Sequence, residues 1–204
     1  MYPIVIGKIG TSTAFALFPV ASPAGGCENV FSGGEAAAAF TGCVDCQFVH
    51  NTVVDPTKWV LRILQERVTD ARYAFAPASR GQIAGNIFYF RRSDLNTGED
   101  INVGAGTDSQ SFSLDGNLWY AHDRPSASGP RLASFQGSVR DSIVGVDPDF
   151  EDARAGNFRL KAASAARAAG SGRTVSGGDI YGHCFANVPS HGAVQFITPG
   201  VRAR

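Results

Sequence analysis

The sequence has no net charge: 18 lysines and arginines are matched by 18 aspartates and glutamates. That balance removes any global electrostatic case for nucleic acid or an anionic membrane surface, because phosphate backbones are bound by clustered cations. No apolar stretch approaches the roughly 20 residues that a membrane helix requires, so no membrane span is expected. Residues 1–24 hold an apolar run over 13–20 followed by small residues, as a secretion signal would. Lys8 is their only charge, however, and Pro19 and Pro23 break the run. Residues 1–26 therefore read as an irregular first segment. A Gly-rich phosphate loop and a Gly-x-Ser-x-Gly elbow are also lacking, and neither His50 nor His183 sits in a recognised Ser or Cys nucleophile motif.

Cysteine is sparse. Cys27, Cys43, Cys46 and Cys184 allow three complete pairings. In an extended strand Cys43 and Cys46 stand roughly 10 Å apart at Cα, beyond the reach of a disulfide, so no bridge between them is expected. They read as buried small hydrophobes. Zinc normally takes four ligands and no matching pair stands nearby, so no metal site is assigned to them.

What is present suits a turn-rich all-β domain. The chain has 204 residues, 44% of them hydrophobic, with 24 glycines, which fits one folded domain of short strands better than a helical one. One phrase recurs: an Asn followed by a β-favouring run, at Asn29, Asn51, Asn86 and Asn117. Spacings in this range mark a stacked repeat. Asn tolerates a positive φ better than most side-chain-bearing residues, so each Asn is expected to turn a corner, and stacked corners would join their amides in a ladder. Trp119 is expected in the core.

Between these phrases, residues 59–65 read as a strand with Trp59, Leu61 and Ile63 facing the core and Lys58, Val60, Arg62 and Leu64 facing outward. Residues 67–80 read as an excursion and 93–108 as a polar loop. Within that loop Asp94, Asn96 and Asp100 imitate the start of a Ca²⁺ loop, although Ala105 occupies the place of the bidentate acid. No cofactor is expected, Ca²⁺ being the one alternative the sequence offers.

The tail is more specific. Asp147-Pro148-Asp149-Phe150-Glu151-Asp152, then Gly156-Asn157-Phe158-Arg159-Leu160, then Ser164-Ala165-Ala166 and Gly170, resembles the closing segment of right-handed parallel β-helix proteins of the pectate-lyase-like superfamily. Ala165 stands where that family usually has Pro. The resemblance implies a short all-β solenoid, a right-handed parallel β-helix over 27–204, with an irregular C-terminal cap from about residue 142. Such proteins have more coils and an N-terminal cap, so the chain is expected to be a truncated or reduced portion with an uncapped end prone to self-association. The aspartates of the tail turn, Asp147, Asp149 and Asp152, are expected to set turn geometry.

Aligning Asn86 with Asn117 places Tyr89 beside Tyr120 and Arg91 beside His122 on an outward face. Aromatic rings and cations in register are what sugar rings and uronate carboxylates bind, so Tyr89, Arg91 and Tyr120 are the candidate substrate-binding residues. Lys58, Arg62 and His122 are the candidate catalytic residues: in β-eliminating polysaccharide lyases a base removes the proton beside a carboxylate while a cation steadies the enolate. Three functions follow. The first is a carbohydrate-associated, non-catalytic module of a secreted or surface protein; the second a polysaccharide lyase or epimerase acting on a uronate-containing polymer; the third a structural spacer. A polysaccharide is the expected partner in the first two.

Overall fold

A computed structural model describes residues 29–65, 76–95, 97–168 and 178–198; residues 1–28, most of the expected 67–80 excursion, Asn96 and Cys27 lie outside them. The described chain is all-β with three short 3₁₀ turns. It passes through three sheets in a fixed order. The first pass lays down β1 (Val30–Ser32), β2 (Ala38–Thr41) and β3 (Gln47–Val49), and the second β4 (Thr52–Val54), β5 (Leu61–Leu64) and β6 (Gln82–Ala84). A third pass gives β7 (Ile87–Phe90), β8 (Ile101–Val103) and β9 (Ser113–Asp115), and a fourth gives β10 (Leu118–Ala121) and β11 (Ser138–Arg140) before β12 (Ile143–Val144). Each strand pairs in parallel with its counterpart one pass away, giving sheets ordered β1-β4-β7-β10-β12, β2-β5-β8 and β3-β6-β9-β11. After β12 the pattern changes to an antiparallel hairpin of β13 (Phe150–Asp152) and β14 (Asn157–Leu160).

Alternation along each strand divides the apolar residues between two cores. Phe88 and Phe90 of β7 join Trp119, Phe40, Phe48, Ile63, Ile83 and Leu114 in one cluster fed by all three sheets. Ile87 and Leu118 point the other way, and with Val54 they are covered by Phe150, Phe158, Leu160 and Val194 of the C-terminal segment. Trp119 is fully buried, as expected.

The Asn ladder is present. Asn51 Oδ1 accepts from Asn29 N at 3.0 Å, Asn86 Oδ1 from Asn51 N at 2.8 Å, and Asn117 Oδ1 from Asn86 N at 3.0 Å. Each acceptor also takes the Nδ2 of the Asn before it, while the Nδ2 of Asn86 and Asn117 also donate to the carbonyls of Phe48 and Ile83. Asn86 and Asn117 are fully buried, so the ladder satisfies polar groups that would otherwise be costly. The positive φ falls elsewhere than expected: His50 (50°), Gly85 (63°) and Gly116 (57°) carry it, each the residue before a ladder Asn. The turn is made one residue early, which leaves the Asn side chain free to point along the stack.

Four further expectations are corrected. Cys43 and Cys46 form a disulfide across a Cα separation of 6.1 Å; Gly42 and Asp45, both at positive φ, fold the segment back, so it is no extended strand. The strand expected at 59–65 spans only 61–64, and Val60, outside it, is buried while Trp59 is only half-buried. The loop expected at 93–108 contains β8, held by pairing with β5. Asp100, read as a Ca²⁺ ligand, is fully buried between Arg92 (2.7 Å) and Arg131 (2.8 Å), so its charge is already neutralised. Among the described residues no group of three or more His, Cys, Asp or Glu could hold a metal ion, and no helix is long and apolar enough to cross a membrane.

Candidate functional site

The parallel register sets the site. Tyr89 pairs with Tyr120, and one residue beyond the strands the same register brings Arg91 level with His122, whose N–H donates to Phe90 O at 3.0 Å. The tyrosine rings lie 5.9 Å apart. The imidazole of His122 stacks on Tyr89 at 4.7 Å with 18° between planes. It then reaches across the intervening pass to Asp55, whose Oδ1 lies 2.7 Å from His122 Nε2. Asp55 itself sits at φ 46° immediately after β4, its N–H bonded to Tyr89 O. Phe150, from the hairpin, meets Tyr89 edge-on at 5.5 Å.

These groups line an open cleft of about 240 Å³ on the outer face of the five-stranded sheet, bounded by Val54, Asp55, Tyr89, Arg91, Tyr120, His122, Asp147, Ala153 and Arg154. Burial pushes the Tyr120 hydroxyl above its ordinary pKa, helped by the nearby Asp147 carboxylate. Tyr89 is raised as well, by burial first and then by Asp147 and Asp55. Both phenols therefore stay protonated well into the alkaline range.

The two acids of the cleft have partners, Asp55 in His122 and Asp147 in the Asp149 N–H, which donates to its Oδ1 at 2.8 Å. The two arginines are freer. Arg91 has a loose, half-exposed contact with Asp94 at 3.9 Å, and Arg154 makes no ion pair among the described residues. A cleft with satisfied acids and available guanidiniums favours an anionic ligand, held by charge-assisted hydrogen bonds beside aromatic rings.

Of the six residues expected in the site, Tyr89, Arg91, Tyr120 and His122 are brought together. Lys58 and Arg62 are not. They belong to the strand β5 and the turn before it, which pair with β2 and β8 on a different sheet. There both cations lie 4.4 Å from the centre of the Trp59 ring, and Arg62 Nε donates to Asn102 Oδ1 at 3.1 Å. Their outward position on the expected 59–65 strand suggested a shared face with the tyrosines, but the chain changes sheet after Asp55. Asp55, Asp147 and Arg154 are the cleft-lining residues not named as site candidates from the sequence. Asp55 had a usable signal, since it follows its strand as Arg91 and His122 follow theirs; Asp147 and Arg154 come from the tail, whose docking no repeat pattern specifies.

Fold and site together define an all-β protein of stacked parallel sheets with a polar, aromatic-lined cleft on one face. Comparison with protein-family models, with curated proteins and with solved structures gives no match.

Proposed function

We propose that the chain is a short right-handed parallel β-helix of the pectate-lyase-like kind and a carbohydrate-associated module of a secreted or surface protein, whose cleft binds a sugar chain bearing carboxylates. One observation carries this reading: Tyr89 and Tyr120 stand in register on one face with His122 stacked on Tyr89, beside Arg91 and Arg154. Rings of that kind stack on sugars, and guanidiniums take carboxylates in a bidentate manner. The Cys43–Cys46 bridge accords with an oxidising location.

A second reading is favoured by the His122–Asp55 pair. With Nε2–H held by Asp55, His122 Nδ1 is the basic atom, and Tyr120 is a protonated acid nearby. In a uronate lyase the base takes the proton beside the carboxylate, a carbon–carbon double bond forms, the glycosidic C–O bond breaks and the acid protonates the leaving oxygen. Arg91 and Arg154 would neutralise the enolate, the part that Lys58 and Arg62 stand too far away to take.

One experiment separates the readings. Uronate and neutral oligosaccharides are titrated calorimetrically into the protein while ultraviolet absorbance follows any unsaturated product. Uronate binding without product, weakened at least tenfold in Arg91→Ala/Arg154→Ala, supports the module. Product that disappears in His122→Ala supports the lyase. Neither binding nor product leaves a structural spacer and sinks both.

A further inference from the structure

Two histidines that the cleft does not use are buried at the junction between the parallel sheets and the C-terminal segment. His50 is fully buried, in the turn just before Asn51. Its ring lies so close to Gly85 that a Cβ there would come within 2.7 Å of His50 Cε1. Nδ1 is 3.0 Å from the Ser190 carbonyl and therefore carries the proton, and Nε2 is buried without a partner. His191 is buried too; its ring nitrogens lie near the carbonyls of Gly116 and Ala166 without closing an aligned hydrogen bond.

Around these rings the C-terminal segment is pinned to the body. His191 N–H donates to Ala166 O and Gly192 N–H to Gly85 O, both at 2.8 Å, and Ala193 N–H donates to Thr52 Oγ1 at 3.0 Å. Gly192, at φ 76°, leaves no room for a side chain against Thr52 and Ile87. Val194 then enters the outer cluster with Phe150, Phe158 and Leu160, the hairpin that leads Asp147 and Arg154 to the cleft wall.

We propose that residues 190–195 form an acid-released latch, closed while His50 and His191 are neutral and opened when they take up protons. The groups facing His50 are the Ser190 carbonyl, the Gly85 backbone, the Phe185 ring at 5.7 Å and His191. Those facing His191 are the Gly116 and Ala166 carbonyls and His50. No carboxylate is among them. Asp179, the buried acid of the segment, is taken up by the N–H groups of Tyr181, His183 and Gln195 and by the His183 ring. A proton on either ring therefore meets no compensating charge.

The sign follows from linkage. Burial, reinforced by His191, holds His50 down to about 4 from its ordinary 6.5, against the opposing effect of the Ser190 hydrogen bond. Burial likewise lowers His191. His50 binds a proton from 6.5 downward in the opened segment and not until about 4 in the closed one, so its contribution to closure is at full strength above 6.5 and is lost as pH falls toward 4, and His191 acts in the same direction. For His50 alone the opening constant rises roughly seventyfold between pH 7.5 and 4.5.

The test is hydrogen exchange of the His191, Gly192 and Ala193 amides in the full chain at pH 7.5 and 4.5, corrected for intrinsic rates. Protection lost by about seventyfold or more, while the amides of Phe88 and Trp119 stay protected, supports the latch. Protection unchanged within threefold overturns it. Ring titrations of the unmodified protein by NMR give an independent check: either buried histidine titrating at 6 or above with the segment closed overturns the proposal. In His50→Gln/His191→Gln the residual exchange should lose its pH dependence; a profile identical to the parent's counts against it. None of these readouts depends on what the cleft binds.

Discussion

At the scale of single residues, each buried ladder asparagine accepts and donates through one amide. Asn117 accepts from both the backbone and the side chain of Asn86 and donates to Ile83. Asn117→Ala strands the Asn86 N–H and one of the Asn86 Nδ2 hydrogens in a buried site, and each orphan costs about 1–3 kcal/mol. We expect the variant to lose about 2–5 kcal/mol in denaturant unfolding, and a loss under 1 kcal/mol would refute the ladder's structural role. The ladder was legible because an amide offers both donor and acceptor and recurs before matched strands. The turn residue was not: His50, Gly85 and Gly116 share no side-chain chemistry, only a backbone conformation. Trp59 misled for a similar reason, since an indole is equally at home in a core or, as here, under two cations.

Elements were legible where aromatic or β-branched runs repeated around an Asn, as in β4, β7 and β10, and illegible where a short strand stood outside that repeat. β8 is an Ile-Asn-Val within a polar stretch, and it exists because Leu61 and Ile63 lie opposite and because Asp100 anchors its start to Arg92 and Arg131. Replacing Asp100 by Asn leaves Arg92, itself nearly buried, without its counter-charge; losing one partner of a buried pair costs about 3–5 kcal/mol. The β13–β14 hairpin is the other decisive element. Phe150 fills the outer cluster and braces Tyr89, so Phe150→Ala should cost about 3–5 kcal/mol and weaken ligand binding at the cleft more than a substitution at exposed Val188. Unaltered binding in Phe150→Ala would show that the hairpin does not organise the site.

For the whole molecule, the order of the strands says where the stack stops. β11 and β12 are the last strands of their sheets, and among the described residues no strand pairs with their outer edges. All of β11 is exposed, and Val139, Val144 and Val146 stand 43%, 45% and 43% exposed at the same end. Edges of this kind present unpaired backbone N–H and C=O groups beside apolar side chains and recruit further strands. In a purified solution the strand on offer is another copy of the chain. We therefore expect sedimentation to reveal concentration-dependent self-association, and Val144→Lys to reduce it, since a lysine on an edge strand cannot be buried there without losing its hydration. Because Val144 is already exposed, thermal stability at low concentration should change little, which separates an effect on association from an effect on folding. A chain that sediments as a monomer at every concentration, or a Val144→Lys variant that associates as readily as its parent, would mean that this end of the stack is protected by something other than the described residues.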